Sequence, residues 1–598
     1  MIIRTTQSHK PTGCVGAALL VATFLSTALM AGPSTAAGLD GRERDPVVLT
    51  GAEVPALSGI EPESLTAYRR DSGGWKQVPV QVDERHDVNL RNLYPFTGGF
   101  VQGGAVVVNA YSDAGTLAGA DPDPEIDADD EIALMASDAG RRVPASYGGI
   151  PAGMEATGAS EVKVSDPGGG AAYFYLFEAK VRVDQGAGLD YVDYDFNLLS
   201  GDYLSNYDFA DGPNPETSRV ETDFYSAGLS DRWINDELRL KAPGASGVDI
   251  LDREKAQFLP GVCGRSTKTF AAAEGSFVVN RDGPVRAIRS FIGANSGPYT
   301  QREHVFYRGQ SQTRTFLRVH AIPGVMQFTD YSPEASGMTY RNALNKGGVT
   351  IDGQPDSVVP GLPPEVIDGM PFWEQVSGPQ GSLDVITELD TDMAGLGITS
   401  YYLDDSSPDE PDEVQCTGDA AAYGSSGTWI TTGIPNTDPR QAGYGNLTAT
   451  KTVYYEGPDA TVSRAEARRD SVENPLVPTS SPLGPPLDPA KLRASLNAKR
   501  LKLSSRRKAV LRVRLRNAGG SASGRIKVCA RVRARGVRLA GKRRCRNLTA
   551  LAAGRKASLR FGVRSRRSAR PGSRAKVVIK VFERGSRIDR MVARVRVR

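Results

Sequence analysis

Short runs rich in Val, Ile, Tyr, Phe and Thr recur along this chain, each closed off by Gly, Pro, Asn or Asp, and helical periodicity is hard to find. Runs this short bury a face only by pairing side by side. The expected fold class is therefore all-β, a multidomain series of β-sandwiches. At 598 residues the chain exceeds what one core organises, so several domains are expected.

The first module is placed at 45–147. Within Trp75–Asp83, Val78, Val80 and Val82 share one face while Gln77 and Gln81 share the other, and the turn Asp71–Gly74 makes Ser64–Asp83 a hairpin. A body at 160–470 follows, with strands expected at Ala171–Phe177, Tyr191–Leu198, Val285–Ile292, Arg302–Tyr307, Arg314–His320 and Leu447–Tyr455, among others. So many antiparallel-type strands imply two broad sheets face to face. Residues 471–490 carry six prolines and read as an extended linker. A last domain spans 491–598.

The first 37 residues read as an export signal. Arg4 and Lys10 lead an uncharged apolar run, Cys14–Met30, and small residues Ser34 to Ala37 suit cleavage. No later run is long and apolar enough to cross a bilayer, so a secreted, extracellular protein is expected, with association at a cell surface as a further expectation. In an oxidising compartment Cys529 should pair with Cys545, which leaves Cys263 for Cys416.

Charge is divided unevenly. Residues 491–598 hold 37 Lys or Arg against two acids, Glu583 and Asp589, a formal +35; the other residues hold 36 bases and 67 acids, or −31. In the basic segment Leu511, Val513 and Leu515 point one way and Arg512, Arg514 and Arg516 the other, and Arg594–Arg598 repeats the pattern. About seven short strands are expected, an immunoglobulin-like sandwich coated with arginine. Ala509–Asn517 with Gly519 and Gly520, the Cys529/Cys545 pair, and Leu551–Gly554 ahead of Ala557–Val563 resemble the CARDB-type immunoglobulin-like domains of bacterial exported proteins.

Three constellations are candidates for chemistry. Arg286, Arg302, His304, Arg318 and His320 gather two of the three histidines outside the signal with three arginines, on a hairpin centred at Arg308–Ser311 and the strand before it. Arginine can hold a uronate carboxylate while His or Tyr removes the neighbouring proton, so these are the candidate catalytic residues. As polar decoration of an ordinary strand pair they would do nothing of the kind. Asp282–Ser290 with Tyr299–His320 weakly resembles the galactose-mutarotase-like supersandwich of polysaccharide lyases, a resemblance that carries over no catalytic residue. Tyr191, Tyr194, Tyr299 and Tyr307, some interleaved with acids, are candidate sugar-stacking rings. Finally, Asp121, Asp123, Glu125, Asp127 and Asp129 lie in a stretch with seven carboxylates in eleven residues, either a solvated loop or a calcium site. Calcium is the one cofactor suggested.

No nucleophile elbow, zinc-protease motif, P-loop or dinucleotide fingerprint is present. The expected function is a secreted binder of glycan or another extracellular ligand, held near anionic cell-surface polymer by its basic domain, with no specific nucleic-acid partner. The alternative is a polysaccharide lyase or other glycan-active enzyme.

Overall fold

The computed structural model describes residues 38–93, 104–143, 150–199, 215–257, 275–294, 297–363, 370–407, 421–483, 490–504, 508–519, 523–534, 536–541 and 544–598. The fold is all-β, built of many largely antiparallel sheets. Residues 1–37, expected to be an export signal, and Cys263 and Cys416 lie outside the described residues. Among the described residues no helix is long and apolar enough to cross a membrane.

The first module is a sandwich of a three-stranded and a five-stranded sheet. Val78, Val80 and Val82 are buried in its core, as the alternation predicts. Pro79 interrupts the strand between them, so Gly74–Val78 belongs to one sheet and Gln81–Asp83 to the other. Two boundaries need correction. Ser160–Ser165 and Ala171–Glu178, expected in the body, complete the five-stranded sheet of this module. The proline-rich segment is not a plain linker: Val477–Pro482 pairs antiparallel with Ser160–Ser165. It is an edge strand, the one place where Pro478 and Pro482 remove no ladder hydrogen bond that a neighbour needs.

The body is organised by a nine-stranded sheet, whose order places Arg286–Ile292, Gln301–Tyr307, Gln310–Phe316 and Leu447–Glu456 side by side. Two four-stranded sheets, containing Tyr225–Asp231 and Leu251–Gln257, pack on its inner face around one large core. The first module, through Asp83, Tyr111 and Glu131, covers part of the outer face. Every residue of Arg286–Ile292 and Gln301–Tyr307 is consequently buried.

A helix, Val462–Glu473, lies against Trp373, Ile386 and Tyr454. It carries no apolar stripe: only Ala465, Arg468 and Ser471 are buried, and Arg468 is fixed by two bonds to Glu456 and by the Tyr454 ring.

Residues 492–597 form a second sandwich whose two sheets and core come entirely from its own strands. Leu511, Val513 and Leu515 point inward, and Cys529–Cys545 form the expected disulfide.

Candidate functional site

The five candidate catalytic residues do not converge. Directly opposed residues of antiparallel strands share a face, so the pairings Arg286↔Tyr307, Arg289↔His304 and Phe291↔Arg302 put Arg286 on the outer face and His304 and Arg302 on the inner one. Arg286, 1% exposed, donates to Asp83 (2.8 Å), Glu131 (2.7 Å) and the Tyr307 hydroxyl (3.1 Å). It is a structural cation between the module and the body. Arg318 donates to the Tyr299 carbonyl (3.0 Å) and to Gln301 (3.2 Å). His320 is exposed, with Nδ1 on the Ala321 carbonyl.

The Arg286 cluster has a pH signature. Burial alone would raise the Glu131 carboxyl, but Arg286 and Arg85 outweigh it and hold Glu131 down at about 2, against 4.5 ordinarily. A depressed folded-state value means stability that is fully present above the unfolded value. It is lost as pH falls from about 4.5 through about 2. The shift corresponds to about 3 kcal/mol. Chemical denaturation at pH 6 and pH 2.5 should show this loss, and Glu131→Gln should reduce the difference between the two pH values.

Arg302 and His304 do share a pocket, between the nine-stranded sheet and the layers facing it. Around them stand Arg232, Trp233, Glu254, Thr313, Tyr331, Lys451 and Tyr455, leaving about 30 Å³ for water-sized occupants. Lys451 is ion-paired with Glu254. Arg302 is 4% exposed; its Nε donates to Thr315 (3.3 Å) and its guanidinium lies 4.8 Å from the Trp233 ring centre. Among the described residues no carboxylate forms an ion pair with it. Burial pushes this guanidinium down to about 10, with Glu254 opposing. The His304 imidazole is 9% exposed, with Nδ1 3.1 Å from Thr313 Oγ1. Burial first, then the charges of Arg302, Arg289 and Lys451, hold it well below the usual range, so it is neutral at pH 7. The pocket is thus a small, cation-rich space with one neutral imidazole. Sequence reading missed Arg232, Glu254 and Lys451, the first from a hairpin turn and the others from two strands, all distant in the chain.

The four candidate stacking tyrosines are core residues. All are buried: Tyr191 donates to Asp138 (3.0 Å), Tyr194 to Asn280 (2.9 Å), Tyr307 accepts from Arg286, and Tyr299 lies beneath Arg440. At Asp193–Asp195 the aspartates face water and Tyr194 the interior, the ordinary alternation of a half-buried strand.

For the carboxylates read as either a solvated loop or a calcium site, no group of three among the described residues is arranged to hold a metal ion. Asp121, Asp127 and Asp130 turn back on the amides of Asp123, Asp129 and Asp127, and Asp129 takes the amide of Asn109. Burial first, then the adjacent Asp129, pushes the Asp127 carboxyl up. Glu125 and Glu178 feel Arg555 of the basic domain, and Asp129 feels Arg525.

The basic domain itself presents rows of like charge. Register places Arg533, Lys576, Arg594 and Arg500 directly across four strands of one sheet, with Arg574, Arg596 and Lys502 in the next row. The other sheet aligns Arg493, Arg516 and Lys556, then Arg512 with Arg560, then Lys508, Arg564 and Arg538. Arg512 is partly covered, and the other cations of these rows are exposed. Neighbouring strands are about 4.8 Å apart, so each row is a ladder of positive charge whose rungs repel. Its two acids are committed to backbone, Glu583 to the Gly524 amide and Asp589 to Arg590.

No family model matches this chain, and no curated protein does. Similar solved structures include the CARDB domain of a Pyrococcus furiosus protein in complex with di-metal ions, at 13% identity and a TM-score of 0.14, covering 18% of this chain and 93% of that one. A putative aldose 1-epimerase from Escherichia coli K12 aligns at 10% identity and a TM-score of 0.22, covering 44% of this chain and 100% of that one. Trypsin-activated α2-macroglobulin from Escherichia coli aligns at 8% identity and a TM-score of 0.15, covering 75% of this chain and 47% of that one. Likenesses at these scores carry no argument about activity.

Proposed function

We propose that this chain is an exported, surface-associated binding protein. Its basic domain holds linear anionic polymer, acidic glycan included, and the pocket at Arg302 and His304 has room for a small anion alone. One observation carries the reading: exposed cations stand opposite one another across both sheets of the last domain, with no acid set among them. Like charges in that register destabilise a sheet unless an external anion lies along them.

The test uses the mature chain and residues 491–598 alone, each applied to immobilised polygalacturonate and eluted with salt. Strong retention of both is the expected result. Retention of the fragment alone means that the acidic body neutralises the domain internally, and elution of the fragment at low salt contradicts the reading.

A glycan lyase is the second reading. It is favoured by the pairing of Arg302, a group suited to a carboxylate, with an imidazole kept neutral and able to accept a proton. The size of the pocket weighs against it, since a polymer does not enter a space of about 30 Å³. The same polygalacturonate incubations separate the two, because elimination generates unsaturated products that absorb in the ultraviolet and binding does not.

A further inference from the structure

The two ladders face in opposite directions. Val513 and Leu515 from one sheet and Val577, Ile579 and Val595 from the other meet in a single core, so the alternate residues, the cations, point away from that core on both sides. Packed sheets stand roughly 10 Å apart and arginine side chains extend several Å further on each side, so polymers on the two faces would be roughly 20 Å apart. That is more than twice the Debye length of about 8 Å at physiological salt, so two negative chains bound on opposite faces would scarcely repel each other. Arg525 and Arg555, whose charges act on Asp129 and Glu125 of the acidic module, belong to neither ladder.

We propose that the C-terminal sandwich cross-links two chains of acidic polysaccharide, one along each cationic face. This rests on the polymer-binding reading above and adds to it a second, independent binding face. The partner is polysaccharide, not nucleic acid, on chemical grounds. The whole of 491–598 holds two aromatic residues, Phe561 and Phe582, and Phe561 is buried in the core. Single-stranded nucleic acid is held by rings on which bases stack, and the ladders offer none. They offer guanidinium forks spaced across strands, suited to carboxylates repeated along an extended sugar chain.

The experiment mixes full-length mature chain with long polygalacturonate at rising protein-to-polymer ratios and follows light scattering. Binding is measured in parallel by co-sedimentation. Cross-linking predicts scattering that rises steeply at intermediate ratios and falls when protein is in excess. Two variants isolate the faces: Arg493→Gln with Arg514→Gln, Arg516→Gln and Lys556→Gln on one, and Arg574→Gln with Lys576→Gln, Arg594→Gln and Arg596→Gln on the other. These residues are exposed, so the fold should tolerate the changes, which circular dichroism checks. Each variant should still bind polymer, at lower salt, while scattering falls at least fivefold. Binding by the unmodified chain without scattering overturns the cross-linking proposal and leaves the binding reading standing. Scattering that persists when either face is neutralised also overturns it, because self-association would then be the cause. Cross-linking of polyadenylate but not of polygalacturonate would overturn the choice of partner. Loss of all binding in the unmodified chain refutes the binding reading itself.

Discussion

Truncating Arg289 to alanine should destabilise the body by about 3–5 kcal/mol, the range seen when one member of a buried ion pair is removed. Arg289 is 0% exposed, and its guanidinium grips Glu216 with two bonds of 2.9 and 2.5 Å. It also donates to the Tyr194 hydroxyl at 3.1 Å and lies 4.8 Å from the Phe277 ring centre. The carboxylate of Glu216 is equally buried, so removing the arginine strands a charge away from water. Truncating Glu216 should cost a similar amount for the mirror-image reason. The double change Arg289→Met with Glu216→Leu should recover most of the loss, because two apolar groups leave neither charge unpaired. Urea unfolding followed by tryptophan fluorescence reports the body, since Trp233 packs against Phe291 on the neighbouring strand position. If the double variant is no more stable than either single one, the buried pair is not the source of the loss.

The parts of this fold that could be read from the sequence are those governed by neighbours a few residues apart. Alternation at Leu511–Arg516 gave the inner and outer faces of the basic sandwich, and the turn signal at Arg308–Ser311 gave the hairpin, although its second strand is Gln310–Phe316 and not Arg314–His320. The rest depended on partners far along the chain. Arg302 and His304 look like exposed decoration until Leu251–Gln257 and Tyr225–Asp231 are laid over them. Arg286 and Arg289 sit three apart on a strand and so point to opposite faces, each meeting acids 70 or more residues away. The tyrosines near acids suggested sugar stacking because local sequence does not distinguish a ring on a groove from a ring in a core. The helix Val462–Glu473 gave no periodic signal, because its buried anchor is Arg468 and not an apolar stripe.

Row-by-row opposition of cations was hidden for a related reason. The charge of 491–598 is plain from composition, whereas the alignment of Arg533, Lys576, Arg594 and Arg500 is a property of register across four strands separated by up to about 95 positions. Composition predicts a positive field. Register turns it into a linear binding surface, with seven cations in two adjacent rows on one sheet.

That surface makes the central claim quantitative. A polymer neutralised by about seven cations releases counterions as it binds, and for a single-stranded polyanion the slope of log K against log salt is then about −5. The direct measurement is the equilibrium affinity of the full mature chain for heparin at about 50 and about 200 mM sodium chloride, by calorimetry or fluorescence anisotropy. The predicted result is a loss of about 10³-fold over that range, with a shallower slope when cations of both faces, Lys576, Arg594 and Arg596 together with Arg493, Arg516 and Lys556, are changed to glutamine. A loss of less than about threefold, or a slope unchanged by those substitutions, would contradict the claim that the cationic ladders are the polymer-binding surface.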